Sequence, residues 1–182
     1  VINDATEIEI TIPTMGKNRY PAEIISIAPE YDIAIIKSKE YKNSQHLTLG
    51  NSDTLKYGEE VSAVGYPLGQ DKLKISKGVF SGYYKFLLQT SAPINPGNSG
   101  GPLTNKNEEV IGINSQKISS GHADNIGYSV PIRYFEMLKS DMILEREVYP
   151  YILYKPSLLC EFTKTNDKIN EYITNGNKIS GF

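Results

Sequence analysis

Short segments in which apolar and polar residues alternate run along most of the chain. The first of them, residues 6–12 (TEIEITI), places Ile8, Ile10 and Ile12 on one face of a strand. Glycine, proline, asparagine and aspartate separate nearly all of these segments, and such residues favour turns. The pattern predicts strands at residues 6–12, 20–28, 33–37, 60–66, 74–84, 87–91, 110–114 and 127–130. Many short strands at this spacing are typical of an all-β barrel or sandwich.

One segment has the spacing of a helix instead. Pro131 suits a first helical turn, because its fixed φ is already helical and its missing N–H would have no partner there. Ile132, Phe135 and Leu138 follow on one helical face. We therefore expect a helix from Pro131 to about Met142.

The segment 76–91 (SKGVFSGYYKFLLQTS) does not fit the pattern well. Its β-prone residues continue with only Gly78 and Gly82 as interruptions, whereas a hairpin normally shows a turn pair such as Asn-Gly. The segment is either one long bent strand, or loop residues are absent between about Tyr84 and Leu87. We favour the second interpretation.

Composition limits the size and the partners of the protein. With 182 residues, 20.3 kDa and 39% hydrophobic residues, the chain is one domain, or one domain and a fragment of another. With a net charge of −2 the chain has no excess of basic residues, so we expect no nucleic-acid partner. No apolar run is long enough to span a bilayer, and we expect no secretory signal within the first residues of this sequence.

Cysteine and histidine are scarce. Two histidines and one cysteine make a structural zinc site improbable, and we expect no metal and no cofactor. Because Cys160 is the single cysteine, no intrachain disulfide is possible. Small secreted domains usually contain several disulfides, so this count mildly favours an intracellular compartment.

The most informative motif surrounds one serine. Residues 95–103 (NPGNSGGPL) place Ser99 among three glycines and two prolines. A surface loop between strands would explain turn formers, but not this whole string. Glycines allow the main chain to bend sharply, so that it presents a hydroxyl as nucleophile and adjacent N–H groups to a developing oxyanion. A serine also needs a histidine base, oriented by a carboxylate.

These residues resemble a trypsin-like serine protease of the HtrA/Deg family. The resemblance extends over residues 1–142, and its segments are 31–37 (YDIAIIK), 49–52 (LGNS), 64–69 (VGYPLG), 89–103 (QTSAPINPGNSGGPL), 110–115 (VIGINS) and 125–131 (NIGYSVP). It implies a chymotrypsin-like double β-barrel, with the first barrel incomplete in this chain.

The resemblance also implies roles for particular residues. Ser99 is the nucleophile, and Asp32 is the carboxylate that orients the base. The oxyanion hole is formed by Gly97 and Ser99, with Asn98 beside them. The residues implied for the substrate pocket are Ile94, Asn95, Ile113, Asn114 and Ser115. Because residues 91–98 contain no Asp or Glu, we expect small or medium apolar side chains before the scissile bond.

The catalytic histidine implied by the resemblance lies upstream of Asp32, and residues 1–5 resemble what directly follows it. We therefore expect the chain to begin just past the general base. His46 and His122 both lie in polar loop sequence after Asp32, and we interpret both as solvated loop residues.

The sequence changes character after Met142. Residues 1–142 form the protease domain, residues 143–150 a linker, and residues 151–182 either a tail or the start of a peptide-binding PDZ-like domain, since 155–162 (KPSLLCEF) resembles the opening of that module.

Three functions follow from these features. The first is an HtrA/Deg-type serine endopeptidase that cleaves unfolded or damaged polypeptides through an acyl-enzyme on Ser99. The second is a catalytically inactive relative with a structural or peptide-binding role, and the third is a peptide-binding module whose barrel is mainly a platform. Members of the family often form homotrimers, which makes an oligomer possible here.

Overall fold

The structure is a computed structural model. It describes residues 5, 7–12, 18–38, 40, 46–67, 72–115 and 126–143, with backbone alone for 141–143. The expected PDZ-like segment and all of the expected linker except Ile143 lie outside the described residues.

The described elements are nine strands and one α-helix, with two short 3₁₀ turns at Pro29–Tyr31 and Ser52–Thr54. The strands are β1 (Ile8–Thr11), β2 (Arg19–Ala28), β3 (Ile33–Ser38), β4 (Glu60–Gly65), β5 (Lys74–Tyr84), β6 (Leu87–Thr90), β7 (Pro102–Asn105), β8 (Val110–Ser115) and β9 (Gly127–Pro131). The helix α1 is Ile132–Ile143. The predicted all-β class, with one helix near the end, is confirmed.

The strands form two groups, and every pair within them is antiparallel. Strands β1, β2 and β3 make a three-stranded sheet in that order. The other six close into a barrel in the order β4-β5-β6-β9-β8-β7, and the pairing of β4 with β7 joins its ends. One closed barrel and one open sheet agree with an expected second barrel that is complete and a first that is incomplete.

The barrel is filled by apolar side chains that alternate with outward residues along each strand. In β4, Val61 and Ala63 are buried while Ser62 between them is not, as the two-residue period of a strand requires. The fully buried cluster is Val61, Ala63, Phe80, Leu88, Ala92, Leu103 and Ile111. This packed interior gives the loops above it a rigid base.

One strand and the start of the helix differ from the sequence prediction, and most other strand ends differ by one or two residues. Strand β7, which begins at Pro102 within the motif 95–103, was not predicted, because its first residues belong to the glycine-rich motif. Helix α1 begins at Ile132, since Pro131 is the last residue of β9.

The expectation of missing loop residues near Tyr84 and Leu87 is wrong. These two residues pair directly, so Lys85 and Phe86 form a two-residue turn between β5 and β6. Lys85 has a φ of 55°, a left-handed conformation that glycine or asparagine usually provides. The turn was not recognised because an ordinary lysine occupies the position that requires this conformation.

This turn yields a stability prediction. We expect Lys85→Gly to raise the free energy of unfolding by about 0.5 to 1 kcal/mol, because glycine adopts a positive φ without steric cost. Lys77→Gly is the matched control, since Lys77 lies inside β5, where glycine should destabilise by about 1 kcal/mol. Urea unfolding midpoints measure both. A loss of stability in Lys85→Gly as large as in Lys77→Gly would contradict the assigned turn.

Candidate active site

Ser99 follows a tight turn whose geometry matches its sequence. The Asn98 amide donates a hydrogen bond to the Asn95 carbonyl at 2.9 Å, so Pro96 and Gly97 are the central residues of the turn. Gly97 has a φ of 98°, and proline followed by a positive-φ residue defines a type II turn. The Pro-Gly pair of the motif is therefore what this bend needs.

A second turn contains Ser99 itself. The Gly101 amide donates to the Asn98 carbonyl at 3.0 Å, and Gly100, with a φ of 83°, follows Ser99 at the centre. Ser99 is half-buried at this position, whereas Asn98 is 1% exposed. Two successive bends thus lift the serine from the interior toward the surface.

Gly97 is required by its surroundings as well as by its φ. A Cβ at this position would lie 2.2 Å from the Tyr66 carbonyl oxygen and 3.0 Å from the Pro67 Cα. The Tyr66 amide also donates to the Gly97 carbonyl at 3.3 Å. The segment after β4 therefore packs directly against the first turn, a contact that sequence analysis did not find.

The backbone amides around Ser99 differ in their hydrogen bonding. Those of Asn98, Gly100 and Gly101 donate to backbone carbonyls. Within the described part of the chain, no hydrogen bond is formed by the amides of Gly97 and Ser99. These are the two donors predicted for the oxyanion hole, and their role stays a prediction.

Asn98, which is predicted to lie beside the oxyanion hole, has a buried side chain. Its side-chain oxygen Oδ1 is buried and has no hydrogen-bond partner among the described residues. The oxygen lies 2.6 Å from where a Cβ on Gly65 would be, so the carboxamide packs against the end of β4. With its amide bonded to Asn95, Asn98 shapes the turn from inside.

Asp32 has an unusual backbone conformation. It caps the 3₁₀ turn Pro29–Tyr31 with φ 56° and ψ 40°, and its amide donates to the Pro29 carbonyl at 3.1 Å. A left-handed conformation costs a non-glycine residue about 1 to 2 kcal/mol. Tyr31 and Ile33 on either side are 1% and 3% exposed, so the buried neighbours hold Asp32 in this conformation.

Ser115, at the end of β8, contacts this carboxylate. Its hydroxyl donates to Asp32 Oδ2 at 2.9 Å, although the two residues are 83 positions apart in sequence. The bond joins the three-stranded sheet to the closed barrel. Sequence analysis placed Ser115 in the substrate pocket and missed this contact, because no spacing signal links the two segments.

The residue before Ser115 holds the serine turn. The Asn114 carbonyl accepts from the Gly100 amide at 2.9 Å, and the Asn114 amide donates to the Gly101 carbonyl at 2.8 Å. The last two residues of β8 thus contact Asp32 on one side and the Ser99 turn on the other. The structure in this way brings the two predicted catalytic segments to one end of one strand.

The residues predicted for the substrate pocket have different environments. Ile94 is half-buried and packs over Gly127 in β9, where an added Cβ would lie 2.8 Å from its side chain. Ile113 is half-buried within β8, and Asn95 is exposed. Ile94 and the glycine beneath it form an apolar surface beside the serine turn. The pocket assignment itself stays a prediction.

Asn114 has its side chain committed to the interior. The Ser129 hydroxyl donates to its Oδ1 at 3.0 Å, and its Nδ2 donates to the Pro102 carbonyl at 3.1 Å. These bonds tie β8 to β9 and to β7. The carboxamide thus lies in the interior between these strands, and the assignment of Asn114 to the substrate pocket stays a prediction.

One of the two histidines lies among the described residues. His46 is exposed in the segment between β3 and the turn Ser52–Thr54. His122 lies outside the described residues. Over the described ranges, no α-helix is long and apolar enough to cross a membrane.

Known proteins are similar to this chain in sequence and in fold. A family model described as trypsin-like peptidase domain matches residues 1–113. Among solved structures, an HtrA-type protease, AlgW with decapeptide, superposes with a TM-score of 0.69 at 29% identity. That superposition covers 79% of this chain and 46% of the other. The chymotrypsin-like barrel architecture expected from sequence is thereby confirmed.

Curated relatives agree with this likeness. Proteins named probable periplasmic serine endoprotease DegP-like are 36% identical over 158 residues in Chlamydia pneumoniae and 38% over 141 residues in Pseudomonas putida (strain W619). A serine protease Do-like HtrA of Bacillus subtilis (strain 168) is 28% identical over 167 residues. These matches cover 81%, 72% and 84% of this chain, and 32%, 29% and 37% of the respective relatives. The chain spans about a third of their length.

The expectation of an intracellular compartment is wrong. The relatives from Chlamydia and Pseudomonas are named periplasmic, which points to an extracytoplasmic compartment. The inference failed because a single cysteine cannot form an intrachain disulfide in any compartment, so its count carries no redox information.

The family match spans more than half of the chain, the relatives from Chlamydia pneumoniae and Pseudomonas putida are 36% and 38% identical over most of it, and the fold agrees with a solved HtrA-type protease. This chain therefore belongs to the trypsin-like peptidase family, within its HtrA type of serine proteases.

Proposed function

We propose that this chain is the peptidase part of an HtrA-type serine endopeptidase. It hydrolyses peptide bonds in unfolded or damaged polypeptides, in an extracytoplasmic compartment, through an acyl-enzyme on Ser99. One observation carries the proposal. The end of β8 contacts the Asp32 carboxylate through Ser115 and the Ser99 turn through Asn114, which is the proximity that a catalytic triad needs.

The chemistry follows from the two turns. Ser99 Oγ attacks the carbonyl carbon of the scissile bond, forms a new C–O bond and gives its proton to an imidazole. The carbonyl oxygen becomes an oxyanion, to which the amides of Gly97 and Ser99 donate. Collapse breaks the C–N bond, and the leaving amine takes the proton from the imidazole. Water then hydrolyses the acyl ester by the same route, which restores Ser99.

We propose that the imidazole comes from a histidine directly upstream of Val1, as the family resemblance implies. Asp32 would accept a hydrogen bond from this imidazole, fix its tautomer and stabilise its charged form. The Ser115 hydroxyl, which donates to Oδ2, helps to hold the carboxylate in place for that task.

We propose that the residue before the scissile bond is small or medium and apolar. Ile94 and Gly127 form an apolar surface beside the serine turn, and residues 91–98 contain no acidic side chain that could pair with a cationic substrate residue. An apolar side chain gains from burial there, whereas a charged one would lose hydration without a partner.

The assembly and the C-terminal segment are proposals as well. We propose that residues 143–150 link the protease domain, residues 1–142, to the start of a PDZ-like domain at 151–182. We also propose a homotrimer, by resemblance to the family. Analytical ultracentrifugation of the full-length protein tests the trimer.

The first prediction of the proposed function concerns the nucleophile. We expect a fluorophosphonate reagent to label the full-length protein and unfolded casein to be cleaved, because Ser99 is presented as an activated hydroxyl. Ser99→Ala should lose both, while its unfolding temperature stays close to that of the wild type. A well-folded full-length protein that neither labels nor cleaves would overturn the proposed function.

The second prediction concerns the oxyanion turn. We expect Gly97→Ala to lower kcat by about a hundredfold or more, because its Cβ would meet the Tyr66 carbonyl and displace the amides from the oxyanion. Gly100→Ala is the matched control, since it has a similar positive φ but nothing within 4 Å of the added carbon.

The activity loss in Gly100→Ala should be about tenfold smaller than in Gly97→Ala. Peptide hydrolysis by both variants, with their unfolding temperatures, makes the comparison. Equal losses of activity in Gly97→Ala and Gly100→Ala would show that backbone strain alone lowers the activity. That result would contradict the role assigned to the contact between Gly97 and Tyr66.

A further inference from the structure

A stack of aromatic rings joins the helix after the barrel to the residue next to Asp32. Tyr31, which is 1% exposed, has its ring centroid 4.7 Å from that of Tyr134, in the first turn of α1. Helix α1 follows β9 of the closed barrel directly, whereas Tyr31 leads into β3 of the three-stranded sheet. The stack therefore joins the segment after the barrel to the segment before β3, in addition to the bond from Ser115 to Asp32.

Tyr134 is itself held from other sides. The Arg133 guanidinium lies over its ring, 5.1 Å from the centroid, and donates to its hydroxyl at 3.4 Å. The edge of Phe86, from the turn between β5 and β6, approaches at 6.3 Å between centroids. The ring that Tyr31 contacts is thus also held by Arg133 and Phe86.

Arg133 is anchored in turn. Its guanidinium donates to the Asp53 carboxylate, and its backbone amide donates to the Ser52 hydroxyl at 3.3 Å. Burial lowers the pKa of the Arg133 guanidinium, whereas the hydrogen bonds to Tyr134 and Asp53 raise it, and the balance lies above its usual value. The group stays charged, which favours its attraction to the aromatic ring.

Asp32 needs such support because its conformation is intrinsically unfavourable. A left-handed non-glycine residue persists only where its surroundings hold it, and Asp32 lies directly after Tyr31. If Tyr31 moved, the capping bond to Pro29 and the direction of the carboxylate would change with it.

We propose that Tyr134 is a positioning residue for Asp32. It acts through Tyr31 and keeps the carboxylate aimed at the catalytic base. The inference rests on the proposed function, and its test separates the two. Nothing in the trypsin-like motif itself includes Tyr134 or Arg133, which lie beyond the matched residues 1–113.

The test compares two tyrosines that both contact Arg133. Tyr134→Leu removes the ring on which Tyr31 packs. Tyr83→Leu is the matched control, because Tyr83 also lies against the guanidinium, at 5.6 Å, but carries no described contact with Tyr31. The full-length protein is assayed for peptide hydrolysis, for its unfolding temperature and for amide hydrogen exchange.

We expect Tyr134→Leu to lower kcat by about ten- to a hundredfold, with KM changed less than about twofold, because misplacing a catalytic group slows chemistry more than binding. Tyr134→Phe keeps the ring and should stay within about threefold of the wild type, as should Tyr83→Leu. Exchange of the Asp32 and Ile33 amides should be about tenfold faster in Tyr134→Leu alone.

Equal losses of kcat in Tyr134→Leu and Tyr83→Leu, or unchanged exchange at Asp32 and Ile33, would overturn the proposal. If Tyr134→Leu does not fold, Tyr134→Met fills similar volume without a ring and gives the same comparison. The exchange measurement needs no activity. A wild type that is inactive but shows the predicted exchange pattern would therefore refute the proposed function and leave the contact intact.

Discussion

The hydrogen bond from the Ser115 hydroxyl to Asp32 Oδ2 is the contact on which the proposed site depends. The carboxylate directly precedes β3 of the three-stranded sheet, and the nucleophile lies in the turn before β7 of the closed barrel, so neither group of strands can form the site alone. Strand β8 connects the two segments, because Ser115 at its end contacts Asp32 and Asn114 contacts the Ser99 turn. Because β8 pairs on both edges, with β7 and β9, its end is fixed by the barrel and not by a loop.

The segments around Asp32 and Ser99 contain strained and crowded backbone. Asp32, Gly97 and Gly100 all have positive φ, and Gly97 also admits the Tyr66 carbonyl where a side chain would not fit. Such conformations cost free energy and persist where neighbours determine them. Here the neighbours are the barrel interior and, for Asp32, the buried side chains beside it. The rigid core thereby fixes the positions of Asp32 and of the Ser99 turn at the surface.

Local patterns predicted most of the fold. Alternation in β1 and β4 and the helical spacing of Ile132, Phe135 and Leu138 were sufficient, because burial on one face leaves a visible period. The turn at Lys85 was not predictable in this way, since a lysine in a left-handed conformation leaves no mark in the sequence.

The site was predictable only in part, for a related reason. The turns around Ser99 can be predicted from the motif 95–103 itself, because the proline and the glycines that they need lie within the segment that turns. The bond between Ser115 and Asp32 and the packing of Tyr66 on Gly97 join distant segments, and only the closed barrel brings them together. The local sequence around a serine at the end of a strand does not predict which carboxylate that serine will contact.

A double-mutant cycle on Ser115 and Asp32 tests this contact most directly. The measured quantity is the rate of fluorophosphonate labelling in the wild type, Ser115→Ala, Asp32→Asn and the double variant, with Ser115→Thr as the variant that keeps the hydroxyl. The account predicts strong non-additivity, so that Ser115→Ala slows labelling in the wild type but has little effect once Asp32 is replaced. Independent, additive effects of the two substitutions would contradict it.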